Sequence, residues 1–282
     1  MKPEDFEYLV QLLKDRSGLI VKADKSYLLE SRLMPIARRL GLKGMEELVE
    51  KIRTNDEALI SDVTEAMTTN ESFFFRDQTP FDQFRDVVLP NLIKARASKK
   101  AFRIWCAAAS SGQEPYSLAM LLKESAARLT GWNTEIVGTD LSREILEKAR
   151  TGLYSQFEVQ RGLPVTFLVK YFQKRDDQWE INANVRAMVD LKEFNLLSDL
   201  SALGAFDVVF CRNVLIYFDQ PTKATVLQGI ADRMPDDGVL YLGGAETVLG
   251  ISDKFKPIPN MRGAYAISKG KAAVKSLGEK QD

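Results

Sequence analysis

The 282-residue chain contains no histidine. That absence removes imidazole general bases, Ser-His triads and nearly all zinc enzymes. Cysteine is scarce: Cys106 and Cys211 are the two present, each inside an apolar run, which reads as buried free thiols in a reducing cytoplasm. Net charge is missing too, since 39 basic residues offset 39 acidic ones, so global charge gives no reason to expect nucleic acid. No run approaches the roughly 18 consecutive apolar residues of a membrane span, and MKPEDFEYLV lacks the basic-then-apolar order of a secretion signal. The expectation is a soluble cytoplasmic protein with no direct membrane insertion and no metal.

Two patterns follow each other along the chain. Residues 1 to about 70 carry helical spacing and no strand alternation. Phe6, Leu9, Val10 and Leu13 lie on one helical face, SYLLESRLMPIARRLGLKG forms a second helical segment with a kink or joint at Pro35, and two more cover about 45–54 and Ile60–Met67. From about residue 101, short apolar strands alternate with helices: AFRIWCA, EPYSLAMLLKESAARL, TEIVGTD, SREILEKARTG, FDVVFCRN, PTKATVLQGIADRM and GVLYLGG. This alternation predicts an α/β domain with a parallel sheet covered on both faces. Residues 154–190 interrupt it and read as an antiparallel appendage of short strands and turns rather than a crossover helix.

Open α/β sheets bind ligands beyond the carboxyl ends of their strands. The loop there, Ala107-Ala108-Ala109-Ser110-Ser111-Gly112, has small side chains but one glycine where a pyrophosphate turn wants three. Asp140 ends the second strand, where an acid commonly binds ribose hydroxyls. On position alone it serves equally as a helix N-cap, a role also open to Ser142. A small loop and an acid suit a nucleoside without a diphosphate, with S-adenosylmethionine the leading candidate. The stretch TTNESFFFR, 68–76, is harder to place, because it groups small polar residues, three phenylalanines and an arginine.

TTNESFFFR, CAAASSGQEPYSLA, GTDLSREILEKARTGLY, FNLL and FCRNVLIYF stand in the order and spacing of the chemotaxis receptor methyltransferases, and over about residues 5–268 the chain resembles this CheR-type family. The resemblance implies a class I, Rossmann-like methyltransferase domain, an N-terminal helical domain and a small inserted β-subdomain. It also implies S-adenosylmethionine as cofactor, S-adenosylhomocysteine as product, and glutamate side chains in the cytoplasmic helical region of chemoreceptors as substrate. The domains expected are 1–75 for receptor recognition, 76–100 as linker and first catalytic helix, 101–270 for methyl transfer with 154–190 inserted, and a flexible tail at 271–282.

Position by position, the resemblance gives Asn70, Ser72, Arg76, Glu114, Asp140, Asn195, Leu196, Arg212 and Asn213 to the cofactor, and Arg76 with Tyr217 to the transferred methyl. Taken singly these residues have ordinary alternatives: Asn70 as a helix end, Arg76 paired with Asp77 or Glu71, Glu114 as a dipole partner, Tyr217 as a core aromatic. Arg32, Arg38, Arg39 and Lys43 gather on the second helical segment, where they could share one broad face for an acidic receptor helix. The family's tail-docking members carry a glycine-rich turn in the inserted hairpin. FQKRDDQWEINANVR has none, so docking independent of a receptor pentapeptide is expected. Two alternatives stay open: a class I methyltransferase with another substrate, and a non-catalytic module that binds the cofactor or its product.

Overall fold

The computed structural model describes residues 1–268; the expected tail at 271–282 lies outside them. The chain forms two compact units, Met1–Thr69 with Tyr217–Thr222, and Asn70–Ile216 with the chain from Lys223.

The first unit packs α1 (Pro3–Ser17), α2 (Ser26–Arg39), α3 (Met45–Ile52) and α4 (Glu57–Ala66) around Leu9, Leu13, Leu29, Leu33, Leu48 and Val63. Pro35 sits inside α2. The helix stops because Gly41, at φ 71°, turns the chain left-handed, and Gly41 and Leu42 N–H donate back to the Arg38 and Ala37 carbonyls. In the same unit the Ile20 N–H donates to the Tyr217 carbonyl at 2.9 Å, and Lys14 pairs with Asp219 at 2.8 Å. Gly18, at φ 75°, lies where a Cβ would come within 3.0 Å of the Phe218 ring.

The second unit opens with α5 (Thr79–Gln83), a π-helical turn at Phe84–Val88 and α6 (Leu89–Ala95). Then follow β1 (Ala101–Cys106), α7 (Gln113–Glu124), β2 (Asn133–Asp140), α8 (Arg143–Thr151), β3 (Leu153–Ser155), α9 (Gln156–Gln160), α10 (Val165–Tyr171), β4 (Phe172–Arg175), β5 (Gln178–Ile181), α11 (Ala183–Arg186) and β6 (Val189–Glu193). The remaining elements are β7 (Val208–Cys211), α12 (Gln220–Ala231, in this unit from Lys223 on), β8 (Val239–Leu242), β9 (Phe255–Pro257) and β10 (Ala264–Ile267). The main sheet runs β6-β2-β1-β7-β8-β10-β9, with β6 through β8 parallel and β10 antiparallel to both β8 and β9. Its central strands are buried on both faces, as their continuous apolar runs require. No helix of the described residues is long and apolar enough to cross a membrane.

The insert differs from its sequence-based expectation. It has an antiparallel sheet, β3-β5-β4, but also the helices α9, α10 and α11. The local cause is legible in retrospect. Ser155 and Glu158 form a reciprocal capping box that starts α9, and Pro164 stands at the N-cap of α10. The end of the insert is also displaced, because 189–190 already belong to β6 of the main sheet. Between β4 and β5 the turn is two residues long, Asp176-Asp177, with Asp176 at φ 51°.

Candidate active site

The parallel register of β1 with β2 and β7 carries the 107–112 loop to the carboxyl ends of all three strands. Ala107 N–H donates to the Phe210 carbonyl at 2.8 Å and Ala109 N–H to the Thr139 carbonyl at 2.9 Å, which pins the loop on both sides. Gly138 is needed here, since a Cβ would lie 2.8 Å from Leu191 and 3.1 Å from Ala109. The loop then turns at Ser110, φ 48°, and Gly112, φ 91°, into α7, whose N-terminus has no side-chain cap.

Of Asp140 and Ser142, the second takes the capping role. Ser142 Oγ accepts from Ile145 N–H and caps α8. The Asp140 carboxylate instead accepts from Ser110 N–H at 2.8 Å and Ser142 N–H at 3.0 Å, which braces it against the loop. Ser110 Oγ donates to the Asn70 carbonyl at 2.9 Å, so the start of the linker reaches the same loop. Phe194 N–H donates to the Asp140 carbonyl, which sets Asn195 beside the end of β2. Asn195 Oδ1 accepts from Leu197 N–H, and Leu196 is buried.

The linker is under backbone strain. Phe75, Asp77 and Gln78 all have positive φ, at 50°, 65° and 42°. Such conformations cost on the order of 1–3 kcal/mol each for residues other than glycine and cluster at functional sites. They are held from outside: Phe75 N–H donates to Ser117 Oγ at 3.0 Å, and the ring of Phe74 meets Tyr154 and Phe172 edge-on. Ser72 is half-buried in this run. Arg76 donates to the Glu71 carbonyl at 3.1 Å and lies over the Phe73 ring at 4.9 Å.

Arg212 is the hub of the site. Its side chain is 1 % exposed and donates to Glu114 Oε2 at 2.8 Å, Asp77 Oδ2 at 2.7 Å and the Arg76 carbonyl at 2.8 Å. It thereby ties the end of β7 to the first turn of α7 and to the linker. Burial pushes the Glu114 carboxyl above its ordinary pKa, and the Arg212 charge opposes that shift. Both Glu114 and Arg212 therefore hold the walls in place. Asn213 follows at φ 59° with its Oδ1 buried and without a hydrogen-bond partner among the described residues.

One residue that holds this loop was not singled out in the sequence. Glu246 accepts from Asn213, Val214, Ile216 and Gly243 N–H at 2.8, 3.0, 3.3 and 2.6 Å, and so binds the loop after β7 to the turn after β8. A carboxylate three residues beyond Gly243 at a strand end was the available signal. Tyr217 lies in the first unit, as described above.

The basic residues singled out on the second helical segment differ in their partners. Arg32 is spent on the C-terminal end of α4, donating to the Met67 and Thr68 carbonyls at 2.8 and 2.7 Å. Arg39 pairs with Asp62, and Lys43 lies beyond the end of α2, 3.9 Å from Glu47. Arg38 is exposed. Helical spacing does not carry through to Lys43, because α2 stops at Arg39.

The donor set suits a nucleoside bearing an amino-acid tail. A loop with nothing larger than serine lets the ligand reach backbone, α7 offers unpaired N–H groups, and Asn213 Oδ1 is a buried acceptor without a partner among the described residues. The glycine-poor loop makes no cradle for a diphosphate.

The chain matches the family models "CheR methyltransferase, SAM binding domain" over residues 70–264 and "CheR methyltransferase, all-alpha domain" over residues 4–68. Chemotaxis protein methyltransferase 1 of Pseudomonas aeruginosa is 39% identical over 258 residues, covering 90% of this chain and 94% of that protein. Chemotaxis protein methyltransferase Cher2 of Pseudomonas putida is 37% identical, with 90% and 94% covered. Chemotaxis protein methyltransferase 1 of Vibrio cholerae is 35% identical, with 90% and 93% covered. With its parallel sheet, small-residue loop and helical first unit, the chain belongs to the CheR methyltransferase family and is an S-adenosylmethionine-dependent methyltransferase.

Proposed function

We propose that the enzyme esterifies glutamate side chains on the cytoplasmic helical region of chemoreceptors, acting in the cytoplasm. The observation that carries this is the preparation of Arg76. Its carbonyl is gripped by a buried arginine, its segment is held in strained backbone, and its guanidinium donates one hydrogen bond within the linker. A cation presented in this way suits a carboxylate, either the cofactor's own or the substrate's.

S-adenosylmethionine supplies a methyl group on a positively charged sulfur and departs as S-adenosylhomocysteine. The attacking glutamate, with an ordinary side-chain pKa of about 4.3, is ionised at neutral pH, so a chain without histidine lacks nothing for this reaction. What the protein must provide is alignment, worth roughly 7–11 kcal/mol in near-attack geometry. In this proposal Asn70, Ser72, Glu114, Asp140, Asn195, Leu196, Arg212 and Asn213 form the cofactor pocket, Glu114 and Arg212 chiefly by holding its walls. Tyr217 orients the attacking glutamate.

Receptor recognition falls to the helical domain, through Arg38, Arg39 and Lys43. Arg32 contributes less, because three of its hydrogen bonds go to Met67, Thr68 and Thr69. The Arg39–Asp62 pair is exposed and worth little, so it can exchange for an acidic receptor side chain. Arg38→Ala with Arg39→Ala is expected to raise KM for receptor fragments about three- to tenfold while cofactor affinity stays unchanged. Steady-state kinetics and cofactor titration on the same variant check this; an unchanged KM overturns it. The two-residue Asp176-Asp177 turn, without glycine, supports docking independent of a receptor pentapeptide.

A further inference from the structure

We propose that Arg161, on the inserted subdomain, is a positioning residue for Arg76, an inference that rests on the role of Arg76 given above. Two guanidinium groups converge on Phe73: Arg161 Cζ lies 4.2 Å and Arg76 Cζ 4.9 Å from the ring centroid. They also converge on Glu71, but on different atoms. Arg161 Nη2 donates to the carboxylate Oε1 at 2.8 Å, and Arg76 Nη1 donates to the backbone carbonyl at 3.1 Å.

That partition sets where Arg76 can go. The Glu71 carboxylate belongs to the residue Arg76 already touches, and an unoccupied carboxylate would draw the guanidinium into a local ion pair. A cation captured in that way no longer serves a ligand carboxylate. Arg161 takes Oε1 of that carboxylate and brings a second positive charge to it, which lowers its pull on Arg76, so Arg76 keeps the carbonyl contact and the face of an aromatic ring.

The backbone keeps Arg161 in place. Gly162, at φ 85°, stands where a Cβ would lie 2.1 Å from the Phe74 carbonyl oxygen, so the insert abuts the linker without room for another side chain. Phe75 meets Phe167 of α10 edge-on, and Phe74 does the same with Tyr154 of β3 and Phe172 of β4. The insert thus forms one wall of the linker. This gives it a task in a chain whose hairpin lacks a glycine-rich turn.

The test is a set of calorimetric titrations with S-adenosylhomocysteine and methyl-transfer kinetics on the full chain. The cycle is read in whichever of affinity or kcat/KM Arg76→Ala lowers. Arg161→Ala is expected to lower that parameter about three- to tenfold, the range of one exposed ion pair with one exposed cation–ring contact. Adding Glu71→Gln should restore it to within about twofold of wild type, and Arg161→Ala should have no further effect in an Arg76→Ala background. Phe73→Leu, which keeps bulk and removes the ring, should resemble Arg161→Ala. A silent Arg161→Ala, or a loss that Glu71→Gln does not relieve and that persists without Arg76, overturns the proposal alone. A silent Arg76→Ala overturns both this proposal and the role of Arg76 on which it rests.

Discussion

Replacing Arg76 with alanine is expected to lower kcat/KM for methyl transfer by about 100-fold, while the protein still folds. The magnitude follows from truncating one partner of a charge-assisted pair in a partly enclosed site, which costs about 2–5 kcal/mol. Little stability is lost, because the guanidinium contacts only the Glu71 carbonyl and the Phe73 ring among the described residues, and the Arg76 carbonyl that Arg212 grips survives the substitution. Arg76→Lys should recover only part of the rate, since an ammonium keeps the charge but loses the planar two-pronged geometry suited to a carboxylate. Steady-state kinetics, with cofactor titration alongside, distinguish the two possible carboxylates. A fall in cofactor affinity assigns the contact to the cofactor; a fall in turnover alone assigns it to the substrate. Near-wild-type values of both would remove Arg76 from the site.

Arg212→Met has the largest expected effect on stability, a loss of about 3–5 kcal/mol, because it leaves Glu114 buried without its counter-charge. In a chain of this size that corresponds to a fall in Tm of about 5–8 °C. The loss should depend on pH with a definite sign. Burial already holds the Glu114 pKa above its unfolded value, and removing Arg212 raises it further. A carboxyl with a raised folded pKa contributes stability that is complete below the unfolded pKa and disappears as pH rises through the folded one. The gap between Arg212→Met and wild type should therefore be smallest in acid and widen toward neutral pH. Glu114→Gln added to Arg212→Met should recover much of the loss. Urea denaturation across a pH series checks both points, and a gap that narrows as pH rises would contradict them.

The central sheet was legible because its strands announce themselves. IWC, IVG and VVFC are the short apolar cores of those strands, and the run of three alanines and two serines after the first of them is distinctive. The helical first unit was legible for the converse reason, its apolar residues falling at helical spacing. The insert was not, because α9, α10 and α11 are four to seven residues long, too short for a periodic pattern to register. There the capping pair Ser155 and Glu158 carried the information. Side-chain partnerships were hidden for a different reason. Nothing in FCRNV says that its arginine is buried across from Glu114, or that Glu246, 34 residues after Arg212, gathers four backbone amides. Those pairings exist only once β7 lies between β1 and β8. Arg32 shows the same limit, since helical spacing made it a surface cation while the end of α4 takes its donors.

The most direct measurement follows labelled methyl from S-adenosylmethionine into chemoreceptor fragments and then exposes the product to mild base. Glutamate methyl esters hydrolyse under conditions that leave methylated amines intact. Label that enters the receptor and is released as volatile methanol is the result expected. Label that enters and survives base would show that the methyl goes to a different acceptor, and a failure of receptor to accept any label would direct the enzyme to another substrate.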